Sequence, residues 1–143
     1  MALKLSVTTP EGLVHQGEAR KVIVPALDGE LGILSRHAPL IAMLGVGELR
    51  VTPAAGGESY FFIAGGFLQV LKDRVVVLAT RAEPQAAIDR AQAEDELRQL
   101  RADAVPPRSS IPAREARSEK IRAARARLKV ATRRMGDGRG LNS

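Results

Sequence analysis

Glu30 and His37 stand seven residues apart in GELGILSRHAPL, a stretch otherwise built mostly of glycine, proline and aliphatic side chains. A carboxylate and an imidazole are the usual partners in general acid–base chemistry, provided that both face one reactive centre. Nothing in the surrounding sequence supplies a nucleophile, a metal ligand set or a phosphate loop to accompany them. Gly29, Gly32, Ser35 and Pro39 read as exposed loop, so contact and simple solvation compete with catalysis as roles for the pair. The glycine pairs at 56–57 and 65–66 lack the spacing of a P-loop or a dinucleotide fingerprint and are expected to be turns, Gly65 and Gly66 joining two strands at positive φ. A third set of chemistry-bearing residues lies near the C-terminus. Arg122, Arg125, Lys129 and Arg133 line one face of a predicted helix, while Lys120, Arg127 and Arg134 recur every seven residues on another. Such a helix fits nucleic acid, anionic lipid or an acidic protein surface. With no aromatic stacking residues and mostly alanine on the apolar face, an acidic protein partner fits best.

The charge is localised. Residues 1–80 carry 7 basic and 7 acidic side chains, 81–110 carry 5 and 6, and 111–143 carry 10 and 3, so the whole excess of +6 lies in the last quarter. Tyr60, Phe61, Phe62 and Phe67 are the four aromatics, and nothing after Phe67 has a ring. With no cysteine and two histidines, neither a disulfide framework, a thiolate metal site nor a zinc cluster is expected. The first ten residues lack the apolar core of a signal peptide, and PLIAMLGVG falls far short of the roughly 20 residues of a spanning helix.

Up to about residue 80 the pattern is short strands between turn signals: Leu3, Leu5 and Val7 in alternation, then KVIVP, ELRVT, SYFFIA, FLQVL and RVVVLAT, with LDGELG, PAAGG, AGG and KD as separators. The spacing leaves no room for crossover helices and predicts an antiparallel sandwich or flattened barrel. From Glu83 the period changes. Pro84 is placed to open a helix over 84–104 with Ala93, Leu97, Leu100 and Ala104 on one stripe. VPPRSSIP breaks the chain, and Pro112 opens a second helix whose stripe is Ile121, Ala124, Leu128, Ala131 and Met135. The reading is α+β: a β-sandwich over 1–83, an antiparallel αα-hairpin over 84–135 and a tail over 136–143. Because every strand and all four aromatics lie within them, residues 1 to about 82 are expected to fold alone, and cutting after Ala82 to remove no core. The hairpin's alanine stripes bury little area, so its packing is expected to contribute only a few kcal/mol at about 25 cal/mol per Å².

LDGELGILSRHAPLIAMLGVGELRV followed by FFIAGGFLQVLKDRVVVLA closely resembles the epsilon subunit of rotary proton-translocating ATP synthases, called delta in mitochondria. The resemblance covers nearly the whole chain. It implies a non-catalytic rotor subunit, without cofactor, that couples the catalytic head to the ring of c subunits from the cytoplasmic face of the bacterial inner membrane. It implies a gamma subunit as partner, and contact of the Glu30 and His37 segment with the c-ring. It further implies a movable hairpin whose basic helix, through Arg122, Arg125, Lys129 and Arg133, meets acidic segments of the head and inhibits ATP hydrolysis. Some relatives bind ATP through an I/L-D-x-x-R-A motif; here Ile88, Asp89 and Ala93 match and Gln92 holds the arginine position, which predicts weak or absent ATP binding by Asp89 and Gln92. A nucleic-acid-binding module with a basic tail is the second reading, and an acid–base enzyme built on Glu30 and His37 the third.

Overall fold

A computed structural model describes residues 2–103 and 110–133. Eight strands, β1 (Leu3–Thr9), β2 (Gly12–Ala19), β3 (Lys21–Ala26), β4 (Gly29–Leu34), β5 (Leu40–Met43), β6 (Val46–Thr52), β7 (Ser59–Leu71) and β8 (Arg74–Pro84), precede two helices, α1 (Arg90–Ala102) and α2 (Ile111–Thr132). The hydrogen-bonded order is β2-β1-β8-β7-β6-β3-β4, with β5 also on β7. Every pairing is antiparallel except that of β1 with β8.

This continuous ladder becomes a sandwich because β7 and β8 bend together. Before the bend Phe61 and Ile63 face the core; after it Leu68 and Val70 do, so the buried parity switches within one strand. Gly65 and Gly66 sit at the switch with φ +74 and +114. A Cβ on Gly66 would lie 2.0 Å from the Leu78 carbonyl oxygen, so only hydrogen fits where the two backbones cross. The two glycines therefore bend a 13-residue strand and do not form a turn, and SYFFIA and FLQVL are one element. The first layer, β2-β1-β8-β7-β5, contributes Leu3, Leu5, Val75, Val77 and Leu68 to the core; the second contributes Val22, Val24, Ile33, Leu49 and Phe61.

Three strands escape the period-2 pattern for one reason. β2 and β4 are edge strands and β5 is four residues long, and among them only Ala19 and Ile33 are buried. Alternation is a signature of a half-buried surface, and here the core-facing side chains Val14, Leu31, Leu40 and Ala42 are only partly covered. Glu30, expected in a loop, consequently stands on β4.

Pro84 also departs from expectation: it ends β8, paired with Phe61. A single 3-10 turn follows at Gln85–Ala87, and Asp89 caps α1 by accepting from the Gln92 N–H. Ser110 caps α2 through the Ala113 N–H, with Pro112 in the first turn. The helices are antiparallel, since Arg117 of α2 donates to the carbonyls of Leu100 and Asp103 at the end of α1. Ala104, Arg134, Met135, the tail 136–143 and most of the proline break lie outside the described residues.

The hairpin does cover core. Tyr60 and Phe62 point away from the sandwich interior and form a second apolar cluster with Ile88, Ala93 and Val130. Phe67, by contrast, is 53% exposed.

Candidate functional site

The hairpin's seat on the sandwich is built around arginines. Arg127 is 8% exposed, at the centre of the buried face of α2. Its Nε lies 3.2 and 3.0 Å from the two Glu83 oxygens, its Nη1 donates to the Gln92 Oε1 at 2.6 Å, and Glu96 stands at 3.5 Å. One guanidinium thus ties α2 to β8 and to α1. It takes Arg127 out of the expected charged row with Lys120 and Arg134 beside the apolar stripe, because a cation supplied with two carboxylates and an amide can occupy a buried helical position. At the end of α2, Arg133 pairs with Glu48 at 2.8 and 2.9 Å and stacks its guanidinium 5.1 Å from the Tyr60 ring centre. The Gln85 side-chain amide donates to the Arg133 carbonyl. Arg81 lies beside Glu83 at 2.9 Å and over the Phe62 ring.

Gln92 is therefore engaged. At the position of the motif's arginine it accepts a hydrogen bond from Arg127, and Asp89 caps the helix, so both residues of the sequence-predicted nucleotide pair serve the folded hairpin.

Of the four basic residues expected on one face, Arg133 is committed to Glu48, and the other three line a cleft of about 380 Å³ between α2 and the β3–β4 and β6 region. Pro25, Val46 and Ala126 supply apolar wall, and Glu30 and Glu48 are the acidic lining residues.

Glu30 and His37 are not one site. The four steps from Glu30 to Leu34 carry the chain about 13 Å at about 3.3 Å per residue, and His37 lies three residues further on. Glu30 is held by Arg50 at 3.0 Å, beside the cleft. The His37 Nδ1 lies 2.7 Å from the Ala38 carbonyl oxygen. Its loop is fixed by Asp73, whose carboxylate accepts from the Arg36 N–H at 2.7 Å and the Ser35 hydroxyl at 3.2 Å. This separation excludes a shared reacting atom. Because β4 is an edge strand, Glu30 and the His37 loop both border one open rim of the sandwich. Among the described residues no three potential ligands gather as a metal site.

Sequence reasoning placed Arg127 in a charged row without its buried pairing, and missed the outer face of the first layer. There Met43, Phe67 and Leu78 are cross-strand neighbours on β5, β7 and β8, all about half exposed, with Ile41 73% exposed next to them. The signal was available in FLQVL, where Phe67 alternates out of phase with Leu68 and Val70 once the bend is known. Together with Met43 and Leu78, Phe67 forms an apolar cross-strand row open to water. No helix among the described residues is long and apolar enough to cross a membrane.

Comparison with known proteins gives a consistent picture. The family model described as "ATP synthase, Delta/Epsilon chain, beta-sandwich domain" matches residues 2–85. The ATP synthase epsilon chain of Solibacter usitatus is 38% identical to this chain over 92% of it and 97% of its own length. That of Alkalilimnicola ehrlichii is 38% identical over 65% of this chain and 66% of its own. A chain in the structure of the Euglena gracilis mitochondrial ATP synthase, OSCP/F1/c-ring in rotational state 1, shares the fold with a TM-score of 0.78 at 22% identity, covering 92% of this chain and 82% of that one.

Proposed function

Since the chain belongs to the delta/epsilon family of ATP synthase, whose members are non-catalytic subunits of the central stalk, we propose that it turns as a rotor subunit between the catalytic head and the c-ring, with its hairpin acting as a releasable brake on ATP hydrolysis. In this reading the sandwich is the permanent fixture. Its exposed row of Met43, Phe67 and Leu78, with Ile41, meets the gamma subunit. Its rim, with Glu30 and the His37 loop, meets the c-ring, and the association with the cytoplasmic face of the bacterial inner membrane is peripheral, through the complex. Torque passes through these contacts without bond chemistry. Alanine at both Glu30 and His37 is expected to weaken assembly or coupling.

The observation that carries the brake is the chemistry of hairpin docking. α2 reaches the sandwich through arginine–carboxylate pairs, Arg127 with Glu83 and Arg133 with Glu48, around a small alanine-rich contact. Carboxylates on another surface can compete for such cations in a way that they cannot compete for apolar burial. An extended α2 would offer Arg122, Arg125, Lys129 and Arg133 to acidic segments of the catalytic subunits.

Hydrolysis by the assembled complex tests this. Deleting residues 111–143 is expected to raise ATPase activity, and substituting the four cations together by glutamine to do so as well. Raising salt from 0.1 to 1 M, which shortens the screening length from about 10 to about 3 Å, should activate the intact complex more than the truncated one. Equal rates for intact and truncated complexes across that range would refute the brake.

A further inference from the structure

Glu30, on the rim, is joined to the hairpin by a row of alternating charges. Glu48 and Arg50 stand two apart on β6, so both share the face of that strand that α2 covers, and Glu30 stands two strands away on β4. The Arg50 Nη2 donates to both Glu30 oxygens, at 3.1 and 3.0 Å. Glu48 accepts from the Arg133 Nε at 2.8 Å and from its Nη2 at 2.9 Å. Between these two pairs, the Arg50 Nε lies 3.5 Å from Glu48 Oε1, the same oxygen that the Arg133 Nη2 uses. That Nε is buried and makes no hydrogen bond among the described residues. The row begins in water, with the Glu30 side chain 58% exposed, and ends under the hairpin at Glu48, 5% exposed.

We propose that Arg50 is a two-position relay between the rim and the hairpin: a cationic group of the partner surface that takes over Glu30 frees Arg50 to close on Glu48, and the hold of Glu48 on Arg133 weakens. The relay rests on the reading that the rim meets the c-ring, and names what that contact does to the hairpin. While Glu30 holds Arg50, two acids face two bases and Glu48 is left to Arg133. Once Glu30 is neutralised, Arg50 has an unpaired arm beside a buried N–H that already lacks a partner, and a buried unmet donor is costly. Its nearest remedy is Glu48 Oε1, a movement of about 0.5 Å to ordinary hydrogen-bond distance. Arg133 then shares its carboxylate with a second guanidinium, where low exposure leaves the repulsion between like charges weakly screened.

A contact that disfavours one conformation shifts the population to the other. The contact that seats the sandwich on the ring therefore loosens the C-terminal anchor of α2. By linkage, the docked hairpin weakens the grip of the rim on the same cation by the same factor. Arg127 keeps its pairing with Glu83 throughout, so the relay biases docking and does not abolish it.

Deuterium exchange of the isolated full chain tests the relay without the complex, so a rim that meets some other partner would show in assembly and not here. Glu30→Gln should accelerate exchange over the last two turns of α2 about fivefold, within the range of couplings found inside one charge network. Glu30→Lys, which puts a cation where the partner's would stand, should exceed that. Amides of β1 should stay within twofold. Arg50→Gln should leave α2 at or below the parent rate, because Glu48 then serves Arg133 alone, and in that background Glu30→Gln should have no further effect. Absence of acceleration in Glu30→Gln overturns the relay, as does equal acceleration of β1 and α2. So does acceleration of the same size in the Arg50→Gln background, which would mean that Glu30 acts directly on Arg122, Arg125 and Lys129 across the cleft. Loosening of α2 by Arg50→Gln alone overturns it too, since Arg50 would then brace Glu48 and not compete for it.

Discussion

Replacing Arg127 by alanine should undock the hairpin while sparing the sandwich. The Arg127 and Glu83 side chains are only 10% and 21% exposed, so solvent screens the pair weakly. Truncating one partner of a buried ion pair costs about 3–5 kcal/mol. Here Glu83 keeps Arg81 at 2.9 Å and is not left bare, which favours the lower end. The lost bond to Gln92, with a charged donor at 2.6 Å, acts in the same direction. A loss of about 3 kcal/mol corresponds to about two decades in the docking equilibrium. Deuterium exchange of the full chain reads that equilibrium amide by amide. Amides of α2 should exchange about 100-fold faster in Arg127→Ala, while those of β1 and β3 stay within twofold. Arg125→Ala, on the cleft side and without a partner in the described structure, should leave α2 within twofold. Acceleration of α2 below threefold in Arg127→Ala would refute the claim that this guanidinium holds the hairpin down.

Gln92→Arg would set a second cation against Arg127, so it should loosen α2 in exchange experiments without ligand. ATP should then bind more tightly to that variant than to the parent, whose calorimetric affinity is expected to be weak or absent. Gly66→Ala, whose Cβ would meet the Leu78 carbonyl oxygen at 2.0 Å, should cost above about 4 kcal/mol in urea unfolding. Gly65→Ala faces only the Thr80 hydroxyl at 3.3 Å and a positive φ, and should cost about 1–3 kcal/mol. Burial near Phe61 lowers the pKa of His15 below its ordinary 6.5, so below that pH the unfolded chain binds more protons than the folded one. The stability His15 contributes is then complete above about pH 6.5 and is lost as pH falls towards the lowered folded value; unfolding measured across that range should show the step, and His15→Gln should flatten it.

Much of this molecule is local in its causes. Alternation wrote β1, β3, β6 and β8 into the chain, because each turns alternate residues onto the core. The caps at Asp89 and Ser110 act within three residues of themselves, and the change of period after Glu83 announced two helices with a thin apolar stripe. The GELGI and HAPL residues carried the family resemblance. What the sequence could not decide involves partners distant along the chain. Gly65 and Gly66 read as a turn because the backbone they must admit belongs to Leu78 and Ala79, which only the paired β8 brings near. Arg127 read as one of a charged row beside the apolar stripe because helical periodicity sorts residues by polarity, and its burial depends on Glu83, 44 residues away, and Gln92, 35 away. Glu30 and His37 looked like neighbours in sequence, yet a fully extended strand separates them, and Arg50 and Asp73, from other strands and turns, fix where each one stands. Hydrophobic pattern and capping are set by the nearest few residues, whereas the pairing of a charge is set by whichever element the folded sheet delivers to it.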